Sequence, residues 1–147
     1  MMVGVEIDLV VGDSIRSLAF YNEVFGIETV EISNFDKGLN EAIFTLYGTR
    51  FHLLDENPEY QLLAPRAGDN TPIWINVVVN DIKKTLKKAL DNGGVEVQEL
   101  VEMPEMGISN AVFKDPSGHL WMLHEITRPV SQEERMDYLE GKFGPKN

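Results

Sequence analysis

The sequence predicts an α+β fold built from two βαβββ units in tandem, and three observations predict it. Val10-Val11-Gly12-Asp13 returns 68 positions later as Val78-Val79-Asn80-Asp81, and at the same offset Leu18 falls on Leu86, Gly26 on Gly94 and Ile27 on Val95. Val3 to Val11 and Ile73 to Val79 both alternate with period two, the pattern of a half-buried strand. Each alternating run is followed by an acidic residue, an amphipathic stretch and a glycine, which reads as a capped helix ending in a left-handed residue.

In the first unit, Val5, Ile7, Leu9 and Val11 point one way along the opening strand, and Glu6, Asp8 and Val10 the other. Asp13 or Ser14 caps a helix to about Phe25, with Ile15, Leu18 and Ala19 on its apolar side and Gly26 as its stop. Strands follow at about 27–34, 40–47 and 50–55, with Gly48-Thr49 as the hairpin turn. Pro58, Pro65, Gly68 and Pro72 mark the connection to the second unit.

The second unit opens at Ile73. Ile73, Ile75, Val77 and Val79 form one row, and Trp74, Asn76 and Val78 the other. Its helix runs from about Asp81 to Asn92, carrying Ile82, Leu86, Ala89 and Leu90 on one face, and Gly93-Gly94 ends it. Strands are expected at about 95–103, 107–114 and 119–127, with Asp115-Pro116-Ser117-Gly118 as a turn. Ser131 and Glu134 form a capping box for a C-terminal helix to about Glu140, followed by a frayed tail, 141–147. The expected division is therefore 1–64, a linker at 65–72, 73–127, and a C-terminal helix and tail at 128–147.

Composition narrows the function. A hydrophobic content of 43% in 147 residues is enough for a packed core, and no apolar run reaches the length of a membrane span. The start, Met1-Met2-Val3-Gly4-Val5-Glu6, has neither a basic stretch nor a cleavable apolar region, so a cytoplasmic location is the default expectation. With no cysteine, disulfides and thiolate metal sites are excluded. A net charge of −11 argues against nucleic-acid binding, which needs a basic face. Lys83, Lys84, Lys87 and Lys88 read as the solvated side of a helix.

Further motifs carry a family resemblance. They are Val11-Gly12-Asp13 with Ser17-Leu18-Ala19-Phe20-Tyr21 and Phe25-Gly26, then Asp91-Asn92-Gly93-Gly94, then Asp115-Pro116-Ser117-Gly118-His119-Leu120-Trp121. Over roughly residues 3–127 the chain resembles the vicinal oxygen chelate superfamily, which includes glyoxalase I, extradiol dioxygenases and the fosfomycin- and bleomycin-resistance proteins. It looks most like the PhnB-like branch. The resemblance implies curved mixed sheets around a cavity, helices outside, and pairing of two protomers into a homodimer.

It also implies metal-ligand positions on the first and last strands of each unit, which here fall on Glu6, His52, Trp74 and Met122. Glu6 and His52 suit a divalent ion. Trp74 offers only an N–H donor, and Met122 is a soft thioether. The implied set is thus half lost, and no metal is the leading expectation; Glu6, Asp8, His52 and His124 form a displaced alternative. The leading expectation is a protein that binds a small aromatic or amphipathic molecule, with no cofactor, in a cavity lined by Glu6, Asp8, Phe44, His52, Trp74, Asn76, Met122 and His124. A divalent-metal-dependent lyase, isomerase or dioxygenase is the alternative, and a dimerisation module using Met136, Tyr138 and Leu139 of the last helix is the third. No nucleophile elbow is present, and Ser109 has no base beside it in sequence. Trp121 is expected in the core and His119 at the surface.

Overall fold

The computed structural model describes residues 3–145. Met1 and Met2 of the chain start, and Lys146 and Asn147 of the expected frayed tail, lie outside the described residues. The first unit comprises β1 (Ile7–Val11), α1 (Ser14–Phe25), β2 (Glu28–Ile32), β3 (Glu41–Leu46) and β4 (Thr49–Asp55). The second comprises β5 (Trp74–Val78), α2 (Ile82–Asp91), β6 (Val95–Met103), β7 (Ile108–Lys114) and β8 (Leu120–Ile126); α3 (Gln132–Phe143) follows. Each unit forms a four-stranded mixed sheet, ordered β1-β4-β3-β2 and β5-β8-β7-β6, and the two do not close into a barrel. Among the described residues no helix is long and apolar enough to cross a membrane.

The local signals act as their chemistry requires. The Asp13 side chain accepts from Arg16 N at the start of α1, and Gly26 ends that helix in the left-handed region at φ 69°. Asp81 caps α2 in the same way through Lys84 N. Ser131 accepts from Glu134 N, and α3 runs on through Gly141 to Phe143, past the expected end. The β3–β4 turn is Tyr47-Gly48, one residue earlier than the sequence suggested. Both residues have positive φ, at 48° and 83°, so the turn has the handedness that matches strand twist. β1 begins at Ile7 rather than Val3, because its parallel partner β4 supplies Phe51 opposite Ile7; Val3 and Val5 overhang, exposed.

One core serves both units. Tyr21 packs on Phe44 of its own sheet and on Trp121 of the other, at 5.5 and 5.0 Å between ring centroids. Phe51 and Trp121 approach to 5.8 Å across the two sheets, and Phe20 and Phe25 of α1 reach Phe113. A buried polar clasp runs through this core. Asp115 accepts from the Tyr21 hydroxyl, from Trp121 Nε1 at 2.9 Å, and from Ser117 N and His119 N at 2.9 and 3.0 Å. The Asp-Pro-Ser-Gly turn is therefore the acceptor that ties α1 to the second sheet. Trp121 is fully buried, and His119 is half-buried between the units, donating from Nε2 to Val10 O at 2.7 Å.

Candidate functional site

Both sheets turn their helix-facing sides into the shared core, so the alternate residues along their strands form the outward faces. Strand register defines what each outward face carries. On the first sheet Asp8, His52, Ile43 and Glu31 form one cross-strand row. Glu41 pairs with Leu54, and Arg50 with Thr45, which pairs with Glu28; Glu6 reaches Arg50 by a side-chain bond. The face is strongly acidic. On the second sheet the corresponding row is Asn76, Met122, Val112 and Gln98, and next to it lie Val78, His124, Asn110 and Val101. There every carboxylate position of the first face has become an amide or an apolar residue. Trp74, half-exposed, takes the register place of Glu6.

Glu6, Asp8 and His52 converge: one ligand atom from each lies within 4.8 Å of the others. His52 Nδ1–H donates to Glu6 Oε1 at 3.0 Å and lies 3.8 Å from Asp8 Oδ1. Its Nε2 is buried without a hydrogen-bond partner, 3.5 Å from Glu41 Oε2. Arg50 Nε donates to Glu6 Oε2 at 2.5 Å. The guanidinium holds the Glu6 carboxyl below its ordinary range, against a smaller opposing effect of burial. Burial first, and then the bond to Glu6, push Asp8 upward.

On the second face Asn76 Nδ2 donates to His124 Nδ1 at 2.7 Å, and Gln98 Nε2 donates to Asn110 Oδ1 at 2.6 Å. Burial lowers the His124 pKa. His124 does not join the Glu6, Asp8 and His52 cluster: it stands on β8, on the outward face of the other sheet. Phe44 is also misplaced by the sequence reading. It is fully buried and stacked on Phe51 at 5.0 Å, because the β3–β4 register pairs these two residues and turns both toward α1. Glu41 and Arg50 border this cluster, at 3.5 Å from His52 and 2.5 Å from Glu6, and were not among the residues expected from sequence. Arg50 was detectable by parity, two residues before His52 on the same strand. A cavity of about 490 Å³ runs along the seam between the sheets, where Trp74 and Asn76 meet Ile7, Leu46 and Phe51.

The metal positions implied by the resemblance do not fit an ion in this chain. Trp74 has no lone pair to give and Met122 is a soft donor, and both stand on the opposite face from Glu6 and His52. The set that does converge, Glu6, Asp8 and His52, is a different one.

Comparison with known proteins follows the fold. The family model described as Glyoxalase/Bleomycin resistance protein/Dioxygenase superfamily matches residues 5–123. An uncharacterised protein of Mycobacterium bovis is 29% identical over 130 residues, covering 86% of this chain and 85% of its own length. Among solved structures, the fosfomycin resistance protein FosX of Listeria monocytogenes aligns at TM-score 0.64 and 19% identity, over 92% of this chain and 99% of its own. A variant of it in complex with Mn(II) and 1S,2S-dihydroxypropylphosphonic acid aligns at TM-score 0.66 and 20% identity, over 94% and 98%. TioX of Micromonospora sp. ML1 aligns at 0.61 and 21%, over 85% and 99%.

Proposed function

The chain belongs to the glyoxalase/bleomycin resistance/dioxygenase superfamily, and on that premise we propose that it binds a small cationic molecule with an aromatic or amphipathic body, without the family's metal set. Within the superfamily we read it as a PhnB-like member. The observation that carries the proposal is the charge contrast between the two outward faces. The Glu6, Asp8, Glu28, Glu31 and Glu41 carboxylates share one face with Arg50 and His52, while Trp74, Met122, amides and a single lysine, Lys114, occupy the other, with no carboxylate at the matching positions. Carboxylates attract a cation, and an indole supplies a cation–π or stacking platform.

Each face is half of a site. A homodimer with two-fold symmetry sets the acidic face of each chain against its partner's neutral face, giving two equal cavities. Acidic against acidic is disfavoured by like charge. The phosphonic acid named with the Listeria protein is an anion, which this acidic wall repels, so similarity of fold does not extend here to similarity of ligand.

The test is calorimetric titration with benzylamine and with benzylphosphonate, which share a ring and differ in charge. The proposal expects the amine to bind, more weakly at high salt and more weakly to Asp8→Asn. A chain that takes the phosphonate and refuses the amine ends it.

The convergence of Glu6, Asp8 and His52 favours a second reading, in which a divalent cation binds this cluster. Three donors are the number a catalytic ion takes from protein, and binding would require Arg50 to release Glu6. Such a chain would be open to the lyase, isomerase or dioxygenase chemistry of the superfamily. Stoichiometric Mn(II) binding that is lost in His52→Ala would support this reading; failure of Mn(II), Zn(II), Ni(II) and Fe(II) to bind would remove it.

A further inference from the structure

We infer that the second unit carries a binding site of its own, between the start of α2 and the helix-facing side of β6, β7 and β8, and that this site takes a small apolar or aromatic molecule bearing a carboxamide. It is distinct from the cation site above. Ser109 and Glu125 line it, and strand parity puts them on the side of the sheet opposite Asn110, Met122 and His124.

A cavity of about 400 Å³ lies there. One cross-strand row crosses it: Glu102 on β6, Ser109 on β7 and Glu125 on β8. Apolar side chains, among them Leu100, Met103 and Ile108, share the lining with these polar ones, and Lys83 offsets part of the acidic charge. Ser109 is only 5% exposed, yet its hydroxyl makes no hydrogen bond among the described residues. A buried hydroxyl on a cavity wall is a position that a ligand completes.

The first unit shows which groups such a place receives. Asn40 and Asp55 face each other across β3 and β4 there, as Ser109 and Glu125 do across β7 and β8. Asp55 Oδ1 takes the first N–H of α1, from Ser14 at 2.7 Å, and Glu125 Oε1 takes the first N–H of α2, from Ile82 at 3.3 Å. Asp55 Oδ2 then takes two peptide N–H groups, from Gly38 and Asn40 at 2.8 and 3.0 Å, out of the long connection 33–40. In the second unit the connection is the short turn 104–107. Arg128 donates to Pro104 O and Glu105 O, and Thr127 N to Gly107 O, which holds that turn to the end of β8. The turn sends no N–H to Glu125, whose Oε2 makes no hydrogen bond among the described residues. Peptide groups thus fill in one unit what is a cavity in the other. A carboxamide restores the pattern, with an N–H for Glu125 Oε2, a carbonyl for the Ser109 O–H, and a body against Leu100 and Met103. Glu102 and Glu125 repel a carboxylate from the same place.

The experiment titrates the full-length protein with benzamide, acetophenone and benzoate, which share shape and differ in N–H donors and charge, and follows backbone amide shifts by NMR. Benzamide is expected to shift the amides of Lys83, Ile108, Ser109 and Glu125, and to bind about five-fold tighter than acetophenone, with no binding of benzoate. Ser109→Ala removes the hydroxyl at little cost in packing. Glu125→Gln keeps an acceptor for Ile82 N and turns an amide N–H₂ toward the ligand. Each should weaken benzamide about five-fold, with benzylamine binding at the acidic face unchanged, and thermal unfolding verifies the fold of both. Absence of benzamide binding, equal affinity for acetophenone, shifts confined to residues outside this cavity, or binding that survives both substitutions overturns the inference. The cation reading stands or falls separately, on benzylamine.

Discussion

Removing the Tyr21 hydroxyl should loosen the whole molecule, because among the described residues it is the only side-chain link from α1 to the buried carboxylate of Asp115. Tyr21 is fully buried and Asp115 nearly so, and the two are 94 residues apart in sequence. Tyr21→Phe deletes one hydrogen bond to a charged acceptor while Trp121 Nε1, Ser117 N and His119 N continue to serve it. A bond of that type contributes about 1.5–3 kcal/mol. At roughly 2–4 °C per kcal/mol for a chain of this size, the melting temperature should fall by about 3–12 °C. Asp115→Ala orphans two buried side-chain donors and two backbone donors, and should cost about 3–5 kcal/mol after water and relaxation recover part of the loss. In the Asp115→Ala background the Tyr21 hydroxyl has no charged acceptor, so Tyr21→Phe should then cost less than about 0.5 kcal/mol. Urea and thermal unfolding of the four proteins in this cycle supply the numbers. Strict additivity, or a Tyr21→Phe variant as stable as wild type, would refute the clasp as the element that joins the two units.

Other consequences follow from the same structure. Burial holds the Tyr21 pKa well above its ordinary value near 10, so the folded state keeps a proton that the unfolded chain releases; stability should fall as pH rises above about 10, and Tyr21→Phe should lack that part of the fall in alkaline melts. Asp55 behaves in the opposite sense. Burial raises its pKa, but N–H donors from Ser14, Gly38 and Asn40 outweigh burial and leave it lowered. Its stabilisation is present above about pH 4 and lost as pH falls through the depressed folded value, so Asp55→Asn should flatten the acid limb of the stability curve. Val78 is a half-exposed apolar residue on the neutral outward face. Val78→Glu should shift the assembly toward monomers in sedimentation velocity, with little loss of monomer stability; an unchanged sedimentation profile would count against pairing through that face.

Much of the fold is legible in sequence because it is encoded locally. Asp13 and Asp81 cap helices a few residues away, Gly26 supplies a left-handed stop, and the alternation of Leu9 with Val11 and of Val77 with Val79 records which side of each strand is buried. What was hidden depends on partners distant in sequence. Asp55 and Asp115 look like ordinary turn or strand-end acids, yet they are keystones: Asp55 receives Ser14 N across 41 residues, and Glu125 serves Ile82 N in the second unit in the same manner. Phe44 was misread because its direction depends on the hairpin register, which the Tyr47-Gly48 turn sets and composition does not. The site was legible by type and not by arrangement. Glu6, Asp8 and His52 could be named from strand parity, but the separation of His124 onto another face follows from how α1 docks between the sheets, through contacts that no single segment encodes.

The central claim is that one cation site needs the acidic face of one chain and the aromatic face of another, and subunit complementation tests it most directly. Asp8→Lys damages only the acidic face and Trp74→Ala only the neutral face. Each variant alone should fail to bind benzylamine in calorimetry. After mixing and subunit exchange, half of the dimers are mixed and each regains one intact cavity, so about one quarter of the wild-type binding capacity should return. No recovery in a mixture verified to contain mixed dimers would contradict the account and place the site within a single chain.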